Sequence, residues 1–531
     1  SNPDPYNHAD QTGSYDQLEV ASSPTNIGLY TYDSTLGDWS LSTGDGLKVE
    51  LLEEQISSDG RTRTELRTIK QANGTIVDQY AEIHQIYAFG ERLTQRIRHS
   101  APITLESDGS LTFGPGEPIV DQWEYYETGV GSVGRLHYQI ANDGSWTTYE
   151  YDQNGRTTKR VSQYLDSDFD DEENSRVVSM DYSDPGVNET GDVRVSTRVE
   201  TVAGVEVLRR YSIDVRDSNG HRVKLRNIDS TEVGAAWNAS SNLETVTTYT
   251  DPAGVFPGRV KSVVRPDGTG TTFDYAGSTE FFVFLSNASP VAVEGMVTTQ
   301  RSGELNSSGV VIDGVETESF RADSTGTILR QEAKDISTGL DLERMDVFDI
   351  DGFGRPVLIA YGDGTQTERV YAPLDCGCGS DKVISETDRQ GITTTYEYDA
   401  LGRRTSMTRL GVTETYDLDA QGRTIRTTRS SGSESQIVSE TDFDLAGRVV
   451  ERRTPGPVTD GSLVATTTDY TFPPEGGEVV TTTLSDGATE IRTSYPDGQT
   501  KSIFGTAVAP MKMAYGTFTA GGDSGLFTRQ I

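Results

Sequence analysis

Tyr396-Glu397-Tyr398-Asp399-Ala400-Leu401-Gly402-Arg403 is followed by Tyr416-Asp417-Leu418-Asp419-Ala420-Gln421-Gly422-Arg423 and by Asp442-Phe443-Asp444-Leu445-Ala446-Gly447-Arg448. The shared unit is an aromatic residue or Leu, then Asp, two residues, Gly and Arg. In an extended strand successive side chains alternate between faces, so Tyr396 and Tyr398 share one face and Glu397 takes the other. Asp399 suits the first position of a turn because its carboxylate accepts nearby backbone N–H groups, and Gly402 supplies the positive φ that ends it. Arg403 then opens the return strand. The intervals Gly391 to Asp399 and Gly411 to Asp419 are equal, which leaves a strand of roughly seven residues, about 23 Å long. Each repeat reads as two antiparallel strands and two turns. One such hairpin is marginal in water, so neighbours must share an aromatic face.

This pattern resembles the YD repeat of the RHS and teneurin family. The likeness is clearest at residues 382–455 and returns at Tyr149 to Arg156 and Phe348 to Arg355. The family's companion turn resembles Arg265-Pro266-Asp267-Gly268-Thr269, Tyr495-Pro496-Asp497-Gly498-Gln499-Thr500, Asn142-Asp143-Gly144-Ser145 and Gly362-Asp363-Gly364-Thr365. The resemblance implies an all-β fold, a long antiparallel hairpin ribbon that curls into a shell or spiral. It implies a non-catalytic structural role: enclosing or displaying another polypeptide, such as the chain's own C-terminal extension, at the cell surface or outside the cell. Family members often release a toxic C-terminal part by cleavage at an Asp-Pro-x-Gly-Leu core. The nearest match here is Asp251-Pro252-Ala253-Gly254-Val255, which lies mid-chain.

Composition agrees with many turns and a single buried face. The 531 residues include 55 glycines, with 34% hydrophobic and a mean hydropathy of -0.51. No stretch keeps a helical apolar period that is not also readable as alternating strand. The 82 acidic against 46 basic residues leave a formal net charge of -36, which excludes a nucleic-acid backbone as the main partner and disfavours anionic membranes. Acidity on a large exposed β-surface keeps it soluble and blunts its edges. No apolar run is long enough for membrane insertion. The sequence opens without a signal peptide or Met, so a processed or excised chain is expected.

Residues 1–23 read as a flexible lead-in, 24–120 as an N-terminal β-region that caps the ribbon, and 121–531 as the ribbon itself, truncated at its C-terminal end. The longer interval at Ser430 to Glu440 is expected in an extended hairpin, and the apolar run Glu280 to Leu285 in a central strand.

Candidate sites are few. Asp166, Asp168 and Asp170, with Asp171, Glu172 and Glu173, are clustered oxygen ligands of the kind Ca²⁺ prefers. The EF-hand comparison fails, however, because Asp171 and Val177 stand where Gly and the bidentate Glu belong. A solvated hairpin tip is the expected reading. Cys376 and Cys378, beside Asp375, offer two thiols where a zinc site wants about four ligands; a local disulfide or tight Gly-rich turn is expected. Gly522-Asp523-Ser524-Gly525 matches a protease nucleophile tetrapeptide but lacks the His and Asp context. His8, His84, His99, His137 and His221 show no paired ligand spacing, and no phosphate loop occurs. No catalytic residue, metal or cofactor is assigned. The alternative is an extracellular adhesin that binds a glycan or protein partner through exposed Trp39, Trp123, Trp146 and Trp237; a clustered tryptophan patch would favour it, whereas packing between layers is the expected reading of these residues.

Overall fold

The computed structural model describes residues 17–23, 26–33, 38–43, 49–71, 73–282, 291–351, 353–373, 381–456, 462–520 and 523–530. Among them there is no α-helix. The strands form a 37-stranded antiparallel ladder and one separate two-stranded hairpin. Nearly every strand pairs with the next in sequence, as Thr393–Tyr398 does with Arg404–Arg409 and Val412–Leu418 with Thr424–Ser431. The exception is local: Gly90–Arg98 pairs with Ile119–Tyr125, and the skipped segment folds into the small hairpin Ile103–Leu105 and Leu111–Phe113.

The ladder runs through residue 120 without interruption, since Ile119–Tyr125 also pairs with Leu136–Ile140. Gln17–Ser23, inside the expected lead-in, is a strand paired with Asn26–Asp33. The stretch Ser430 to Glu440 forms the expected longer hairpin, with Thr424–Ser431 against Glu434–Phe443. Strand Thr269–Phe282 has partners on both sides only at Gly270 to Thr272; its apolar end pairs with Val291–Leu305 alone and Phe281 is 72% exposed, so the expected central position does not hold there. Residues 283–285 of that run lie outside the described residues.

The repeat turn has one geometry at Asp152, Asp351, Asp399, Asp419 and Asp444. The Asp N–H donates to the carbonyl of the Arg four residues on, and the Gly N–H donates back to the Asp carbonyl. The Asp Oδ1 accepts the Arg backbone N–H. The Oδ2 accepts the same Arg Nε–H at 2.6–2.8 Å. Gly402 has φ 72°, the left-handed residue that follows a type I turn in a bulged hairpin; the register shift between Glu397 and Tyr398 marks that bulge.

Three of these brackets are closed by a tyrosine from a later strand, and Arg423 by Phe443 at 4.4 Å. The Tyr371 ring lies over the Arg355 guanidinium at 4.1 Å and its hydroxyl donates to the Pro356 carbonyl at 3.0 Å. Tyr182 does the same to Arg156 and Thr157, and Tyr470 to Arg448 and Val449. Tyr151 treats Arg135 and Leu136 in this way, and Tyr275 treats Arg259 and Val260. Ring over arginine and hydroxyl on the next carbonyl is therefore the recurrent contact between repeats. Burial pushes the Tyr151, Tyr275 and Tyr470 phenols above their ordinary value, so they remain donors.

Apolar packing is patchy because the ribbon has no second layer along its length. Leu66, Ala81, Ile97 and Ile103 cluster under the small hairpin. Val195, Tyr211, Ile213, Val215 and Ile228 cluster with Val187 and Trp237 from neighbouring loops. Phe320, Leu329, Val347 and Ile359 form a third patch. The physics predicts that Tyr371→Phe, which keeps the ring over Arg355 but loses one hydrogen bond, costs about 1 kcal/mol. Hydrogen exchange of the amides in Pro356–Tyr361 measures it; unchanged protection there would remove the hydroxyl from the account.

Candidate functional site

The repeat turns also meet strands far away in sequence. Arg423, held by Asp419, donates a second N–H to the Val77 carbonyl at 2.8 Å, across 346 residues. Gln421 Nε2 donates to Asp78 Oδ2, and Arg98 Nη1 reaches the Ala446 carbonyl at 3.4 Å, across 348 residues. Further along, Gly477 N–H donates to the Asp143 carbonyl at 2.6 Å, and Leu165 N–H to Asp497 Oδ2 at 2.7 Å, across 332 residues. Strand Val205–Arg216 meets the final hairpin, Met511–Ala520 and Asp523–Gln530. These contacts keep sequence order, so the ribbon curls and its second course lies along its first.

The seam explains a difference among otherwise identical turns. Asp419, Ala420 and Ala446 are buried, whereas Ala400 in the preceding repeat is exposed. The turns carry a small Ala, Ala420 in one and Ala446 in the other, where the strand carrying Val77 and Asp78 crosses them. A larger side chain at Ala446 would collide with that strand. Seam donors mostly meet backbone carbonyls, so the contact does not depend on opposite charges.

The sequence candidates fall as follows. Asp166, Asp168 and Asp170 are exposed, and among the described residues their carboxylates do not gather into a ligand group. Asp171 instead accepts the Glu173 N–H and the Asn174 side chain, and Glu172 pairs with Lys159 at 2.7 Å. The loop's Phe169 packs edge-on to Tyr138 and against Trp146. Cys376 and Cys378 lie outside the described residues. Ser524 sits in strand Asp523–Gln530, its backbone opposite Thr519.

The described tryptophans do not form the patch that the adhesin alternative requires. Trp146 is 4% exposed among Val161 and Val177. Trp237 is half-buried against a different cluster, under Arg226, and Trp123 is half-buried in strand Ile119–Tyr125. They pack separately; Trp39's side chain is outside the described residues. Asp251 to Gly254 form an ordinary turn, with Gly254 N–H donating to the Asp251 carbonyl.

Two features were not read from the sequence. One is an open groove of 790 Å³ lined by Gln85, Tyr87, Gln95, Gln122, Glu124 and Tyr138 among others. Alternation places Gln95 directly opposite Gln122 and Ile83, and Glu124 opposite Tyr138, on the face that carries the Leu66 cluster further along. Tyr138 donates to Glu124 at 2.6 Å, and that bond pushes its phenol up to about 12. The other feature is a gathering of Glu65, Glu82 and His84 on adjacent strands.

Among comparisons with known proteins, the RHS Repeat family model matches residues 379–410. The fold and this match together define an antiparallel-β repeat protein. The chain carries an RHS repeat, and the resemblance to the RHS/YD-repeat family stands. No curated protein matches the chain. Solved structures similar to it include the crystal structure of TcdB2-TccC3-TEV, at 12% identity over 93% of this chain and 30% of that one, with a TM-score of 0.27. TcdB2-TccC3-Cdc42 is similar at 11% identity over 97% and 33%, TM-score 0.25. A porin-like protein from Bacteroides uniformis is similar at 14% identity over 54% and 93%, TM-score 0.19. The chain thus spans about a third of the length of the TcdB2-TccC3 chains it matches.

The turn carboxylates make a pH prediction. Hydrogen bonds from the Thr365 side chain and backbone, then Arg389, hold the Asp363 carboxyl down at about 2. Ser57 does likewise for Asp59, Ser110 for Asp108, and Thr338 for Asp335. A carboxyl depressed on folding adds stability that is complete above its unfolded value, roughly 3.9, and lost as pH falls through its folded value. These turns therefore weaken between about pH 4 and pH 2. Carboxyl NMR titration should place Asp363 near the bottom of that window, and Thr365→Val should move it back up; no movement would contradict the assignment.

Proposed function

We propose that this chain is a wall segment of an RHS-type β-shell, which encloses or displays another polypeptide at the cell surface or outside the cell. The observation that carries this reading is the seam: a ribbon whose second course hydrogen-bonds along its first is built as a wall. Its repeats interlock through backbone carbonyls and arginines already committed to aspartates, leaving no nucleophile–base pair in the repeat unit. The role is mechanical and non-catalytic, and the enclosed polypeptide is expected to be joined to, or to travel with, the ribbon. No helix among the described residues is long and apolar enough to cross a membrane.

A second reading, a binding module for a glycan or protein partner, is favoured by the groove beside Tyr138. Its glutamines and aromatic rings on one face suit polar, ring-bearing ligands. Saturable binding of neutral oligosaccharides that Gln95→Ala and Gln122→Ala abolish would support it.

The wall reading is tested by electron cryomicroscopy of the full-length protein together with any polypeptide that co-purifies with it. Density within the curl that vanishes when that polypeptide is removed is the expected result. A curl filled by its own side chains, or a passenger bound outside, would refute it. Arg423→Ala with Ala446→Arg should open the seam, seen as faster hydrogen exchange at Val77 to Gln79 with the repeats at 382–418 unchanged.

A further inference from the structure

Across four neighbouring strands, Glu54, Glu65, Glu82 and Arg96 stand directly opposite one another in one row. Like charges placed opposite one another destabilise a sheet. Arginines offset part of this conflict. Arg63 contacts Glu54, Glu65 and Glu91; Arg67 approaches Glu50 and Glu65 at 3.8 and 3.6 Å; and Arg96 pairs with Glu82. Five carboxylates thus face three guanidinia, an excess of negative charge on a half-buried patch.

The hydrogen bonds leave an unfilled place at His84. Arg96 donates through Nε and Nη2 to Glu82 Oε1, at 2.9 and 2.7 Å, so Oε2 is left turned towards the imidazole. His84 Nδ1 is 3.2 Å from Glu91 Oε1, and Nε2 is 3.9 Å from Glu82 Oε2. Nε2 is shielded from solvent and has no hydrogen-bond partner. If Nδ1 carries the proton that Glu91 accepts, Nε2 presents a lone pair to a carboxylate oxygen with nothing positive between them. A carboxylate that accepts the distal N–H is how metal-bound histidines are oriented.

We propose that Glu65, Glu82 and His84 form a binding site for a divalent transition-metal ion of the zinc type, with Glu91 and Arg96 as its supporting partners. Their ligand atoms all lie within 4.8 Å of one another. One imidazole and two carboxylates suit such an ion and leave a fourth position for water. Bonds of about 2.0–2.2 Å at a tetrahedral angle put nitrogen and oxygen roughly 3.4 Å apart, so the pair must close by about half an ångström. Glu65 Oε1 can stay with Arg63 while Oε2, whose Arg67 contact is loose, turns to the ion. The ion would tie strand Thr62–Lys70 to Ile76–Tyr87, the strand whose Val77 and Asp78 meet the seam.

The test uses the whole chain, stripped with a chelator and titrated with Zn²⁺ by calorimetry and with Co²⁺ by absorption, under excess Mg²⁺ to occupy the acidic surface. One site per chain with a low-symmetry Co²⁺ spectrum is expected. His84→Ala should weaken it at least a hundredfold, and Glu91→Gln about 10- to 100-fold, as supporting partners do. A Zn²⁺-induced rise in melting temperature of the unmodified chain gives a readout that needs no variant to fold. Failure to saturate a single site below millimolar metal, or unchanged affinity in a folded His84→Ala, would overturn the proposal.

Discussion

The structure depends on one interaction, the bracket between an aspartate and the arginine four residues on. An isolated hairpin of two short strands has little to hold it, and an exposed ion pair alone contributes about 0–1 kcal/mol. Here the same carboxylate closes the turn through a backbone N–H and fixes the guanidinium through Nε, as at Asp399 and Arg403. The ion pair therefore gains pre-organisation that a lone surface pair lacks. A guanidinium so held presents a flat face, and an aromatic ring from a later strand lies on it at Arg156, Arg355, Arg423 and Arg448. Such turns become docking places for their neighbours, which makes the ribbon cooperative along its length although its apolar core is broken into patches.

The turns and strands were legible because their causes are local. Asp, Gly and Arg act within five residues of one another, and alternation of Tyr396, Glu397 and Tyr398 fixes the faces. The acceptor of each tyrosine hydroxyl was less legible. Tyr371 reaches Pro356, which the sequence does not mark except by its place after Arg355; with the bracket known, the rule can be read at the other repeats. The seam was not legible at all, since nothing in Val77-Asp78-Gln79 announces a partner 340-odd residues on. Burial of Trp146 is what its residue type leads one to expect, but its cover was not legible, because the Tyr164 to Asp170 loop looks like a solvated acidic tip and only Phe169 inside it hints at packing. His84 was passed over because a search for paired histidines misses Glu82-x-His84, in which strand alternation puts both side chains on one face.

The acidity and the architecture are connected. Arginines in this chain are used largely in brackets and cross-strand pairs, as at Arg301 with Asp274 and Glu316, so the unpaired remainder is acidic. A ribbon that must slide its second course along its first would be trapped in wrong registers by scattered salt bridges. Seam acceptors that are mostly neutral carbonyls, with neutral amide donors at the two carboxylates Asp78 and Asp497, lessen that difficulty. Repulsion between the remaining carboxylates then keeps separate molecules from stacking edge to edge.

The curl also limits what the proposed shell could hold. From strand Ile76–Tyr87 to strand Val412–Leu418 there are 22 strand-to-strand steps around the ladder. At about 4.8 Å per step the perimeter is roughly 106 Å, or some 34 Å across for a circular course. Side chains take up about half of a 10 Å sheet spacing at each wall, which leaves a space roughly 24 Å wide. A folded domain of about 100 residues has a radius of gyration near 13 Å and an outer diameter larger than that space. A passenger inside a single course of this ribbon must therefore be small, or held short of its compact fold. Widening the curl is the alternative, and it would break the seam at Arg423 and Val77, because a ribbon of fixed strand spacing can enlarge its circle only by adding strands between its two courses.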